Sequence, residues 1–321
     1  MKRIPITHKI QRIAEQYRDN LKLEFIQPTK KLEDFRDSIL CLINHGDASL
    51  QKYVDYINAI INNYDEIITL PPNKFDKYKD DVFFMLKEDD LKRVIKDKKF
   101  HEAIVSYMRY EDARNTVIRK YFDKLGIKTC VYCNAQYAIT IPEGSKLRAN
   151  YEIDHFKPTS KYPFLCISFF NMQPSCPCCN RQKNNNEAKF NLYAETKEEL
   201  NPFIFSLEPS SIIKYMLGQN KENLIIELNS NNKDLILNHN KLFHIDLFYQ
   251  AFKDEAEELL WKCKTRNDTY IDVLIKTFEN QFPCKKNEIK RFLYGFYNQE
   301  IDIHKRPMTK LKQDIANQLK L

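Results

Sequence analysis

A mainly helical chain with one small α+β insert is what the sequence predicts. Three observations predict it. Only five of the 321 residues are glycine, against about 22 at average usage, so tight turns are few. Apolar residues recur at three- and four-residue steps on both sides of the chain's middle. Between those flanks, the sequence switches to two-residue alternation and gathers paired cysteines. Three parts follow: a helical N-terminal region 1–125, a core 126–195, and a mainly helical C-terminal region 196–321.

In the first part, Leu91, Val94 and Ile95, then Ile104, Val105 and Met108, then Val117, Ile118 and Tyr121 mark helical faces. Pro71-Pro72 interrupts them as a loop between helical layers. His101 falls on one such helix and is read as a surface or hydrogen-bonded histidine. In the core, Tyr137, Ile139 and Ile141 alternate as a strand, Pro142 to Ser145 form a turn, and Tyr151 to His155 read as the returning strand. Pro158 to Pro163 belong to the loop before Asn171, and the polar run after Cys179 suits a helix. Beyond residue 195, Phe203–Leu207 and Leu224–Leu228 read as short strands. Ile245, Phe248, Phe252, Leu259 and Leu260 read as one long amphipathic helix. Thr309 is a candidate cap for a terminal helix. Before it, His304-Lys-Arg reads as a solvated loop; the alternative is a patch in which Arg306 and Lys310 reach an anionic backbone.

Composition excludes several classes. The formal charge of +7 is compatible with nucleic acid without being diagnostic. No stretch approaches the ~20 apolar residues of a membrane span, and the first residues carry no signal-peptide pattern, so a cytoplasmic protein is expected. No nucleotide-binding P-loop is present. Nine cysteines, four of them in two pairs, read as metal binding rather than as a disulfide framework. Cys41, Cys166, Cys263 and Cys284 read as buried or inert thiols.

The chemistry concentrates between Cys130 and Lys183. Cys130-Val-Tyr-Cys133 and Cys176-Pro-Cys-Cys179 are two thiol knuckles, a zinc-site pattern. Cys130, Cys133, Cys176 and Cys179 form the expected set, with Cys178 a competing ligand. With 42 residues between Cys133 and Cys176, a bound zinc would close a long excursion. Between the knuckles stand Asp154 and His155. A histidine near pKa 6.5 can accept a proton from water at neutral pH. An aspartate offers a hard anionic oxygen to Mg²⁺. Asn180, 25 residues beyond His155, could add a neutral oxygen ligand. Arg181 and Lys183 could grip phosphates, or simply form a solvated helix face. Glu152 reads as a surface or supporting carboxylate rather than a ligand.

In this order the pieces resemble the HNH endonuclease family, over about 60 residues. The resemblance implies a central ββα-metal unit carrying a structural zinc on the four cysteines. It also implies hydrolysis of nucleic-acid phosphodiesters, with DNA favoured over RNA. Asp154 and Asn180 would hold the catalytic metal, His155 would be the base, and Asn171 would fix the loop that holds the histidine. Many HNH enzymes carry a histidine where this chain has Asn180; the asparagine form also occurs in the family, including the HNH domain of RNA-guided CRISPR effectors. An oxygen-rich site favours Mg²⁺ or Mn²⁺.

Around Glu152-Ile-Asp-His-Phe-Lys-Pro158 and Phe170-Asn-Met-Gln-Pro-Ser-Cys176 the chain is similar to the HNH component of Septu-type anti-phage systems, also found as a retron effector. That similarity implies an ABC/SMC-like ATPase partner docking on the flanks. Two other readings stay open: a stand-alone restriction or homing nuclease, for which the flanks lack a recognition helix, and a catalytically silent zinc protein that only binds partners.

Overall fold

The computed structural model describes residues 1–144, 146–265, 268–278 and 286–320. Ser145 of the expected turn and Cys284 lie outside the described residues. The chain is mainly helical, with five two-stranded sheets among the described residues. It divides into two compact units, each discontinuous in sequence. One joins Pro5–Leu125 to Ile139–Glu195; the other joins Met1–Ile4, Gly126–Ala138 and Thr196–Leu321. Residues of the 126–195 segment thus belong to both.

The first unit is built on helices such as His8–Glu24, Lys30–Asn44, Gln51–Asn62 and Phe100–Tyr107. Thr7 caps the first by accepting from the Ile10 N–H. Their buried faces meet through aromatic rings: Phe35 stacks on Tyr107 at 4.5 Å, and Tyr53 packs edge-on to Phe100 at 4.8 Å. The same layers grip the 156–171 loop. Phe83 stacks on Phe164 at 4.1 Å, and the buried Tyr17 hydroxyl donates to the Ile167 carbonyl at 3.0 Å.

Two local expectations are corrected here. Val94 and Ile95 are not helical but pair with Lys98–Lys99, because Lys96 and Asp97 both take positive φ and make a tight hairpin turn. Residues 151–155 are not the returning strand of the 140–143 hairpin. Lys146–Ala149 completes that ladder, helped by Gly144 at φ +61° and by Asn150 accepting from the Ile139 N–H at 2.7 Å. Glu152–His155 is left to pair with Met172–Ser175, antiparallel, Asp154 opposite Gln173. The helix Pro177–Lys183 follows at once. Pro177 at its first position has the φ a helix start needs, and the Cys176 sulfur accepts from the Cys179 N–H.

In the second unit, Ile204–Leu207 pairs antiparallel with Ile226–Asn229, as the apolar runs foretold. The expected long helix from Ile245 is broken. Ile245–Tyr249 and Lys253–Thr265 flank a 3-10 turn at Gln250–Phe252, where the Gln250 side chain bonds both the N–H and the carbonyl of Ile226. Residues 126–138 are held by the C-terminal elements. The Tyr132 ring stacks on Phe243 at 4.3 Å, His239 bonds the Tyr132 carbonyl at 2.9 Å, and the Tyr249 hydroxyl donates to the Cys133 carbonyl at 2.5 Å. Asn134, at φ +53°, donates to Thr129 and Ile303 and accepts from the Lys310 N–H.

That arrangement corrects the reading of the chain's end. Lys310 is 0 % exposed and ion-paired with Asp314 at 2.6 Å, so it cannot reach a nucleic-acid backbone. Thr309 is not the cap; Met308 is, at φ +61°, and the Thr309 hydroxyl donates back to the Arg306 carbonyl. His304 is buried rather than solvated, bonded to the Lys2 carbonyl at 2.7 Å. Cys41, expected inert, is exposed.

Candidate functional site

The Glu152–His155 strand presents Glu152 and Asp154 on one face by two-residue alternation. The Pro177–Lys183 helix presents Asn180 and Lys183, three residues apart, on one of its own faces. The two faces meet in register: Asn180 contacts the Glu152 carboxylate, and Lys183 Nζ lies 3.1 Å from Asp154 Oδ1. A carboxylate only accepts, so Asn180 turns its Nδ2 toward Glu152 and carries its Oδ1 on the other side.

A polar pocket of about 440 Å³ opens beside this pair, lined by Asp154, His155, Thr159, Asn180, Arg181 and Asn184 among others. His155 stands at its edge, partly exposed. Its Nε2 bonds the Cys166 carbonyl at 2.8 Å. A carbonyl can only accept, so Nε2 carries the hydrogen and Nδ1 keeps its lone pair. The Tyr110 ring packs against the imidazole at 4.8 Å. Burial, with a smaller contribution from the Lys183 charge, lowers the His155 pKa to about 4. The imidazole is therefore neutral at pH 7, the form that can take a proton.

Asn171 is fully buried and tied to the loop after His155. Its Oδ1 accepts from the Lys157 N–H at 2.7 Å, and its Nδ2 donates to the carbonyls of Lys157 and Leu165, each at 3.1 Å. Removing it would leave those loop groups without partners. Arg181 is exposed at the pocket rim. Lys183, expected to grip phosphate, is 1 % exposed and directed inward, donating to Asp154 and to the His155 carbonyl at 2.7 Å. A long side chain with a buried partner need not be solvated, which helical patterning alone does not reveal. Glu152 is exposed, in keeping with a supporting carboxylate.

The Asp154 carboxylate and the Asn180 Oδ1 are hard oxygen donors, the chemistry Mg²⁺ and Mn²⁺ take. The sulfurs of Cys130, Cys133, Cys176 and Cys179 are all buried and lie within 4.8 Å of one another. A tetrahedral zinc with bonds of about 2.3 Å spaces its sulfurs about 3.8 Å apart. Backbone N–H groups of Ala135 and Cys179 donate to the sulfurs of Cys133 and Cys176. The four could hold a metal such as zinc. Cys178 is exposed and stands outside the cluster.

Sequence reading missed Tyr110, the Cys166 carbonyl, Thr159 and Asn184. It also missed that Lys157 is bound by Asp76 at 2.8 Å and by Glu187 at 3.4 Å. Thr159 and Asn184 lie within four residues of His155 and Asn180 and were within reach of the sequence, whereas Tyr110, Cys166, Asp76 and Glu187 reach the site through tertiary contact that no local spacing reports.

With this geometry in place, one similarity is informative. A stretch of the chain is 34 % identical over 80 residues to the Septu protein PtuB of Bacillus thuringiensis. The match covers 23 % of this chain and 28 % of that protein, so the chain spans less than a third of that relative's length. No protein-family profile matches, and no solved structure matches. No helix among the described residues is long and apolar enough to cross a membrane.

Proposed function

We propose that the chain is a metal-dependent HNH-type endonuclease acting in a Septu-like anti-phage system, with DNA the favoured substrate and an ATPase the expected partner. The observation that carries this reading is the strand–strand–helix arrangement around the pocket. Asp154 and His155 end one strand, Met172–Ser175 pairs with it, and the next helix brings Asn180 back to the same pocket. This order supports the reading as an HNH ββα unit. The similarity to PtuB supports the Septu assignment, and the ATPase partner follows from that assignment alone.

In this reading Asp154 and Asn180 hold Mg²⁺ or Mn²⁺, and Cys130, Cys133, Cys176 and Cys179 hold a structural zinc. The catalytic ion, when bound, supplies charge neutralisation at the scissile phosphate and at the leaving oxygen. His155 accepts at Nδ1 the proton of the attacking water, while its Nε2–H stays on the Cys166 carbonyl. The new bond joins water oxygen to phosphorus, the bond to the 3′ oxygen breaks, and the departing 3′ oxygen takes a proton from solvent water. Products carry 5′ phosphate and 3′ hydroxyl ends. Asn171 keeps the loop behind the histidine in place, and Arg181 meets the substrate backbone.

The test is cleavage of plasmid DNA and of total RNA by purified protein with Mg²⁺, against His155→Ala. Loss of the base is expected to slow cutting about 10²–10⁴-fold, with the fold retained. Wild-type cutting rates in His155→Ala, or cutting in excess chelator, would refute the mechanism. A protein that holds zinc but never cuts would instead favour the silent interaction protein.

A further inference from the structure

Asn184 closes the Pro177–Lys183 helix with φ 46° and ψ −130°. Glycine takes that conformation freely; L side chains rarely do, and strain of this kind gathers at working sites. The residue is exposed and lines the pocket next to Asp154, His155 and Arg181. Its backbone N–H bonds the Asn180 carbonyl at 2.9 Å. Its carboxamide has no hydrogen-bond partner among the described residues. A glycine would serve the backbone here with less strain, and the side chain adds no hydrogen bond among the described residues. The carboxamide is thereby left available to a molecule in the pocket.

We infer that Asn184 is a substrate-gripping residue whose Nδ2 donates to a non-bridging phosphate oxygen of the bound nucleic acid. The groups that share the outer rim are donors as well: the exposed Arg181 guanidinium and the Thr159 hydroxyl. Phosphate oxygens only accept, so all three groups can donate to the polymer backbone, which takes the larger share of contacts to nucleic acid and carries the charge that Arg181 attracts. Lys183 is committed to Asp154 and the His155 carbonyl, which leaves phosphate contact to the rim. The inference rests on the endonuclease reading for the kind of polymer, not for whether it is cut.

Full-length protein with His155→Ala, so that probes survive, is titrated with a short fluorescein-labelled DNA duplex and with a labelled RNA oligonucleotide, reading anisotropy. Asn184→Gly and Asn184→Asp are added to the same background. Asn184→Gly is expected to melt at or above its parent, by up to about 2–4 °C, yet to bind roughly 3–10-fold more weakly. Asn184→Asp binds more weakly still, because a carboxylate cannot donate and repels phosphate. The probe whose affinity falls identifies the polymer. Undiminished binding by Asn184→Gly, a melting point below the parent's, tighter binding by Asn184→Asp than by Asn184→Gly, or no binding of either probe would overturn the inference. If His155→Ala still cuts the probes, the endonuclease mechanism fails, while the affinity ranking still judges Asn184.

Discussion

The Lys183 ammonium sits 3.1 Å from Asp154 Oδ1, with both side chains almost wholly withdrawn from water. The lysine also donates to the His155 carbonyl, so one cation fixes both neighbours at the end of the strand. Burying two charges is offset only while both are present. The pair therefore links the electrostatics of the pocket to the stability of the unit that contains it.

Asp154→Ala would strand that ammonium and is expected to cost about 3–5 kcal/mol. Asp154→Asn keeps an acceptor for Lys183 and should cost clearly less, while still removing the anionic oxygen. Urea unfolding of both variants beside wild type checks this; an Asp154→Ala midpoint equal to wild type would show that the pair contributes nothing to folding.

Tyr110 contributes a ring wall to His155 without a hydrogen bond to it. Tyr110→Phe should keep cleavage near the wild-type rate because the ring contact survives. Tyr110→Leu should lower kcat more than it raises KM, since the imidazole loses its orientation rather than the substrate its grip. Equal activity in the Phe and Leu variants would remove Tyr110 from the site.

Cys176 serves twice, as a member of the thiol cluster and as the cap of the helix that carries Asn180 and Lys183. Cys176→Ser should lower bound zinc per chain and the melting temperature together. Cys178→Ser should leave both unchanged, because that thiol is exposed. Elemental analysis beside a thermal melt decides; full zinc content in Cys176→Ser would dismantle the cluster assignment.

Stability should fall in mild acid. Burial lowers the pKa of His304 to about 4 and of His239 to about 3, from a usual value near 6.5. Their folded-state values lie below the unfolded ones, so the unfolded chain binds protons more readily between those limits. Stability is full above about pH 6.5 and declines as pH drops toward about 4, by on the order of 3 kcal/mol per histidine. Chemical unfolding across that range tests the sign, and a stability that rose on acidification would contradict it.

Part of the candidate site is legible in the sequence. Paired thiols and adjacent Asp154 and His155 are local signals, because each motif sets its candidate residues within a few positions. The strand pairing was not legible. Glu152–His155 finds Met172–Ser175 across a loop, and four-residue strands carry too little alternation to name a partner. Nor was the burial of Lys183 or Lys310, since a cation on a helix reads as solvated until its carboxylate is found beside it. Tyr110 arrives from a helix 45 residues upstream of His155, and sequence spacing has no means of reporting that contact.

The anchoring of the first thiol knuckle has a consequence in time. Its Cys133 carbonyl waits for Tyr249, 116 residues on, and Asn134 waits for Lys310, 176 residues on. At ribosomal speeds of roughly 5–20 residues per second, that last partner arrives about 9–35 s after the knuckle itself. During synthesis the first pair of thiols therefore lacks these two partners until residue 310 has been made, and a chain interrupted before that point lacks at least one of them.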